Sequence, residues 1–122
     1  MARIYLFDCG KCGYQARIVG GLAEGLDVTA QTIQCTECRS LHDAVIALRV
    51  PLSASTYLTA PHLEDVVNQL ESIDRGAMRW EYFELACPVS PDHKVKEWRQ
   101  PGKCPTCAFF LEPSGLPFRE WD

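Results

Sequence analysis

The chain has 122 residues, of which seven are cysteine and three histidine. Its formal charge of −4 opposes nonspecific binding to a phosphate backbone, and no apolar run is long enough to cross a bilayer. The length suits one domain or two very small ones, and an odd cysteine count rules out complete disulfide pairing.

In chain order, residues 3–7 read as a short strand that leads to Cys9 and Cys12. Gly13 follows this pair, where a tight metal knuckle needs a backbone tolerant of positive φ. Residues 14–19 alternate as a strand, and Gly20, Gly21 and Gly25 mark a turn or loop. Residues 28–34 form a returning strand that delivers Cys35 and Cys38. Residues 44–50 make a further strand, closed by Pro51. A helix is expected over about residues 61–75. Leu63, Val66, Val67, Leu70 and Ile73 share one apolar face that packs on neighbouring structure. Pro61 suits the helix start, Glu64 and Asp65 suit its positive end, and Gly76 suits its stop. Residues 79–86 form an aromatic strand with Trp80, Tyr82 and Glu84 on one face and Glu81, Phe83 and Leu85 on the other. Residues 94–98 extend from a further ligand pair, Cys87 and His93. Pro101 and Gly102 then turn the chain into Cys104 and Cys107. Residues 108–111 are expected as the closing strand. Leu116, Phe118 and Trp121 are expected to cap a lobe.

Charge is unevenly spread. Residues 51–86 carry Glu64, Asp65, Glu71, Asp74, Glu81 and Glu84 against Arg75 and Arg79. The segments on either side are balanced.

Four short pairs thus supply eight soft or borderline ligands: Cys9 with Cys12, Cys35 with Cys38, Cys87 with His93, and Cys104 with Cys107. Eight ligands fill two tetrahedral sites, and closed sulfur-rich sites favour Zn2+, two per chain. The expected assignment is sequential. Cys9, Cys12, Cys35 and Cys38 hold one ion; Cys87, His93, Cys104 and Cys107 hold the other. Sequential pairing closes the shorter loops, and sharing of a metal between distant pairs is the alternative. Ser90, water or Asp92 are alternatives to His93, although a serine hydroxyl is a poor zinc ligand at neutral pH. Two loaded sites bring the chain to about −7. His42, just before a strand, and His62, at a helix start, are needed by neither site.

Residues 1–50 resemble a zinc ribbon, a β-hairpin that grips one metal between two knuckles. The run Cys9, Gly10, Lys11, Cys12, Gly13, Tyr14 is similar to a rubredoxin first knuckle; the second, from Cys35 to Ser40, lacks the usual proline and glycine. The resemblance implies a metal-held hairpin, with electron transfer through iron as an alternative. Residues 87–113 resemble the short heavy-metal-binding domain of bacterial metal-efflux ATPases and efflux adaptors. The shared residues are Cys87 and Pro88, then Pro101, Gly102, Cys104, Pro105 and Cys107. That family's pattern has histidine where Ser90 stands, methionines where Val89 and Phe109 stand, and glycine where Ala108 stands. Without those thioethers, the resemblance implies the ribbon scaffold rather than Cu(I) handling.

The expected fold class is therefore α+β. Two small β-rich zinc-ribbon lobes, residues 1–50 and 79–122, are joined by a linker, 51–78, that carries the helix. A lobe of roughly 40–50 residues needs such a metal staple. With no leader-like apolar run in residues 1–8 and metal-bound thiols, the setting is expected to be cytoplasmic. No acid–base or nucleophile constellation is visible, so the chain is expected not to be an enzyme. The expected function is protein binding by a double zinc ribbon. The alternative is nucleic-acid binding, in which Lys94, Lys96, Arg99 and Lys103 surround Trp98 as a basic patch with one stacking aromatic.

Overall fold

The structure is a computed structural model that describes residues 2–52, 61–70 and 76–121. These residues are mostly β-sheet, with one short helix among them. Strands β1 (Ala2–Asp8), β2 (Gln15–Ile18) and β8 (Glu112–Trp121) form one antiparallel sheet in the order β2-β1-β8. The second sheet runs β3 (Leu22–Glu24), β4 (Val28–Cys35), β5 (Ser40–Pro51) and β6 (Met78–Tyr82); β7 (Val95–Glu97) also pairs with β4. Each sheet draws strands from both segments expected as lobes. β1 pairs with β8, β4 with β7 and β5 with β6. No helix among the described residues is long and apolar enough to cross a membrane.

The helix α1 spans Leu63–Leu70. It begins at Leu63, two residues after the expected start at Pro61, because His62 bridges Ala44 instead, and Glu64 and Asp65 stand in its first turn. Leu63, Val66 and Val67 are buried against Ile4, Val28, Val45 and Leu48, so the apolar stripe packs on both sheets. Ile73 and the expected last turn lie outside the described residues. A second cluster gathers Phe7, Ile18, Leu41, Trp98 and Leu111, with Phe7 and Trp98 edge-to-face at 5.6 Å between ring centroids. A third, smaller cluster is Ile33, Cys35, Ala44 and Cys87.

The strand expected over residues 79–86 is shorter, Met78–Tyr82, but the expected facing of its side chains continues beyond it. Phe83 and Leu85 pack inward, whereas Trp80 and Tyr82 stack outward with centroids 6.5 Å apart. Residues 108–111 depart from expectation. They are not a regular strand, because Ala108 takes φ 66° and turns the chain. Pairing resumes at Glu112.

A buried polar junction ties the two sheets together. Asp43 on β5 accepts the Thr32 hydroxyl at 2.7 Å and the Val19 amide at 3.1 Å. Thr32 in turn accepts the amides of Gly20 and Gly21. Gly20 has φ +83°, and a Cβ there would meet Phe7 at 2.7 Å, so the turn between β2 and β3 requires glycine.

Burial pushes the Asp43 carboxyl up from 3.8 to about 7, against the lowering effect of its Thr32 and Val19 donors. The folded state therefore holds a proton that the unfolded chain releases. Stability from this group is fullest at low pH and is lost as pH rises from about 4 to about 7. Asp43→Asn should abolish that slope. With zinc saturating, the urea stability difference between wild type and variant should shift by about 2 kcal/mol between pH 5.5 and pH 8, wild type losing ground as pH rises. Taking the difference cancels the pH dependence of the metal ligands, which runs the other way.

Candidate metal centres

The first knuckle is built by its own backbone. The Cys9 amide donates to Tyr14 O at 2.8 Å, and the Gly13 amide donates to Cys9 O at 3.0 Å. The knuckle at Cys104 repeats this pattern, with the Cys104 amide on Phe109 O and the Ala108 amide on Cys104 O. The residue after the second cysteine has positive φ in all three Cys-x2-Cys knuckles: Gly13 at 79°, Arg39 at 53° and Ala108 at 66°. Only the first of these positions is glycine. The geometry is thus imposed by the metal loop, and two side chains endure it.

The structure brings all eight expected ligands together as two groups of four. One is Cys9, Cys12, Cys104 and Cys107; the other is Cys35, Cys38, Cys87 and His93. Within each group the ligand atoms lie within 4.8 Å of one another, so each group could hold a metal ion. This overturns the sequential pairing. The outermost pairs share one centre and the innermost pairs share the other, a nested arrangement. The strands are the cause. Asp8 faces Glu112 across the β1–β8 ladder, which sets Cys9 beside the Cys104 knuckle. Cys35 faces Val95 across the β4–β7 ladder, which sets it beside His93.

In the four-cysteine centre, Cys9 Sγ lies 3.4 Å from Cys107 Sγ, and Cys12 Sγ lies 3.6 Å from Cys104 Sγ. All seven cysteines are free thiols. The Thr106 hydroxyl lies 3.1 Å from Cys12 Sγ and 3.0 Å from Cys104 Sγ. That contact and the Tyr14 backbone lower the Cys12 thiol to about 6. The Phe109 backbone lowers Cys107, but desolvation and the three neighbouring sulfurs outweigh it and push that thiol up to about 12. The sequence gives no hint of Thr106, because its role depends on which knuckle faces it.

In the three-cysteine centre, His93 Nδ1 lies 3.4 Å from both Cys35 Sγ and Cys38 Sγ. Ser90 and Asp92 are not among the four. Lys94, next to His93, is pinned to the Cys35 knuckle: its amide donates to Glu37 Oε2 at 2.8 Å, and its carbonyl accepts the Thr36 amide. Burial raises Cys35, but the Cys38 amide and the neighbouring thiols bring it down to about 7. Burial and the nearby Cys35 and Cys87 sulfurs push Cys38 up to about 12. Each centre thus spreads its thiols from easily to barely ionised. Crowded acids behave this way until a dication supplies the missing positive charge.

His42 and His62, which the sequence leaves unassigned, meet in space with ring centroids 5.5 Å apart. Trp98 is only 5 % exposed, and its indole N–H donates to Lys103 O at 2.9 Å. It cannot stack a base while the fold is intact. Comparison with protein-family models, with curated proteins and with solved structures finds no match.

Nesting makes a direct test. The double variant Cys12→Ser/Cys107→Ser touches one centre only and should retain one metal ion per chain by elemental analysis. Sequential pairing would cost both. Separately, Ala108→Gly should relieve the left-handed backbone and raise stability by roughly 0.5–1 kcal/mol, read from chemical denaturation of the metal-loaded protein.

Proposed function

We propose that both centres hold structural Zn2+, two ions per chain, and that the protein is a cytoplasmic protein-binding module of the double zinc-ribbon kind. Cys9, Cys12, Cys104 and Cys107 bind one ion; Cys35, Cys38, Cys87 and His93 bind the other. Four protein ligands close each centre, which suits a structural ion and leaves no coordination position for a substrate at either. Hydrolysis at these two centres has no place in this reading.

The observation that supports a binding role is where the knuckles put their apolar side chains. Phe109 and Phe110 lie two and three positions after Cys107, yet are 52 % and 59 % exposed. Val89, just after Cys87, is 60 % exposed. Lys11 of the facing knuckle lies 3.8 Å over the Phe109 ring and steadies it. Aromatic side chains held outward on a metal-braced loop give large contact area with little ordering cost, as interface anchors do. Nucleic-acid binding is the weaker reading, because Lys94, Lys96, Arg99 and Lys103 are exposed but Trp98, the aromatic that the sequence places among them, is buried.

Purified protein should carry two zinc ions, and a red, redox-active iron form would favour electron transfer instead. A partner recovered by pull-down should be lost with Phe109→Ser/Phe110→Ser while both zincs remain. At about 10 μM the protein should not bind generic DNA or RNA at physiological salt, where nonspecific binders act at roughly 10⁻⁴–10⁻⁶ M. Tight, salt-sensitive binding abolished by glutamate at Lys94, Lys96 and Arg99, with zinc retained, would reverse the choice.

A further inference from the structure

A cavity of about 270 Å³ opens between β2, β5 and the start of α1, and none of the eight ligands of the cysteine centres lines it. Its polar lining is Gln15, Arg17, His42, Asp43, His62 and Glu64. The space is smaller than the roughly 300–1,000 Å³ of most organic-ligand pockets, but ample for a hydrated ion. We propose that His42, His62 and Glu64 form a third metal site, an exchangeable one for a divalent transition ion, with solvent completing its coordination.

Three observations carry this. First, the two imidazoles are 5.5 Å apart between centroids and inclined at 75°. Two rings that each bind one ion at about 2.0–2.1 Å have centroids about 5–6 Å apart. Second, His42 Nε2 is buried and has no hydrogen-bond partner. A buried imidazole nitrogen is normally satisfied, and a metal ion would satisfy this one. Third, the backbone fixes the pair. His62 bridges Ala44 across the sheet edge, two residues along β5 from His42, and Glu64 follows on the first helical turn.

The chemistry of the wall agrees. Burial, then the nearby His62 and His93, lower the basicity of His42, which keeps a nitrogen lone pair free at neutral pH. Asp43 is already committed to Thr32 and Val19 and is not a ligand. The Glu64 carboxylate does not converge with the imidazoles in the structure as it stands; an arriving ion recruits it by side-chain rotation. With two imidazoles, one carboxylate and Arg17 on the same wall, the site is weaker than the thiolate centres and selects ions that favour imidazole, such as Ni2+, Co2+ or Zn2+.

The test uses the full chain with both zincs in place. Co2+ is added in increments while its visible spectrum and the histidine ring NMR signals are followed. One further equivalent should bind without releasing zinc. Its spectrum should lack the intense sulfur-to-cobalt band of a thiolate site, and the His42 and His62 ring signals should broaden selectively. His62→Ala and Glu64→Gln should each retain two zincs, and His62→Ala should weaken cobalt binding at least about tenfold. Absence of a third equivalent up to about 1 mM Co2+, a spectrum of cobalt–thiolate type, or equal affinity in His62→Ala would overturn the proposal. The ring broadening in the wild-type protein decides the matter even if a variant misfolds.

Discussion

Everything in this molecule depends on two ladders that bring distant cysteine pairs together. β1 lies against β8, and β4 lies against β7, so the outermost ligand pairs meet at one point and the innermost at another. Each centre then fastens strands that the chain itself separates widely; Cys12 and Cys104 are 92 positions apart. A metal at such a point constrains nearly the whole chain. Structural zinc in small peptides is worth on the order of 10–16 kcal/mol of apparent binding free energy, comparable to the stability of a domain. An ion at the outer centre would brace the β1–β8 ladder of one sheet, and an ion at the inner centre the β4–β7 ladder of the other.

Loop entropy explains why a shorter-loop pairing looks attractive and why it does not prevail. Closing from Cys12 to Cys104 rather than to Cys35 lengthens the loop about fourfold, and each doubling costs about 0.6 kcal/mol. That difference of about 1.2 kcal/mol is small beside two antiparallel ladders and the burial of Phe7, Trp98 and Leu111 around the outer centre. The tertiary structure overrides it without difficulty. The left-handed residues at Arg39 and Ala108 belong instead to the local knuckle loops, which set the backbone whatever side chain follows.

The fold separates rigid metal chemistry from its surfaces. Cys9 and Cys104 are buried, while Phe109 and Phe110 face outward just beyond the Cys104 knuckle. Trp80 and Tyr82 stack on the outer face of β6, with Tyr82 76 % exposed. Glu81 of that strand is instead tied to Arg79 at 2.7 Å. The interior junction of Asp43, Thr32 and the Val19–Gly21 turn is polar but well paired, so it specifies how the sheets meet at modest cost.

The sequence by itself determined the ligands. Three Cys-x2-Cys pairs and the wider-spaced Cys87 and His93 announce two sulfur-rich sites, because local backbone geometry alone lets Cys-x2-Cys point two sulfurs at one ion. It also placed most strands and the helix stripe of Leu63, Val66 and Val67, because alternation and the helical period are local properties. Only the tertiary structure decided which pairs share an ion, that Trp98 lies inside, and that His42 and His62 meet. These are outcomes of strand pairing between residues far apart in the chain, and sequence periodicity carries no information about which strand will lie beside which.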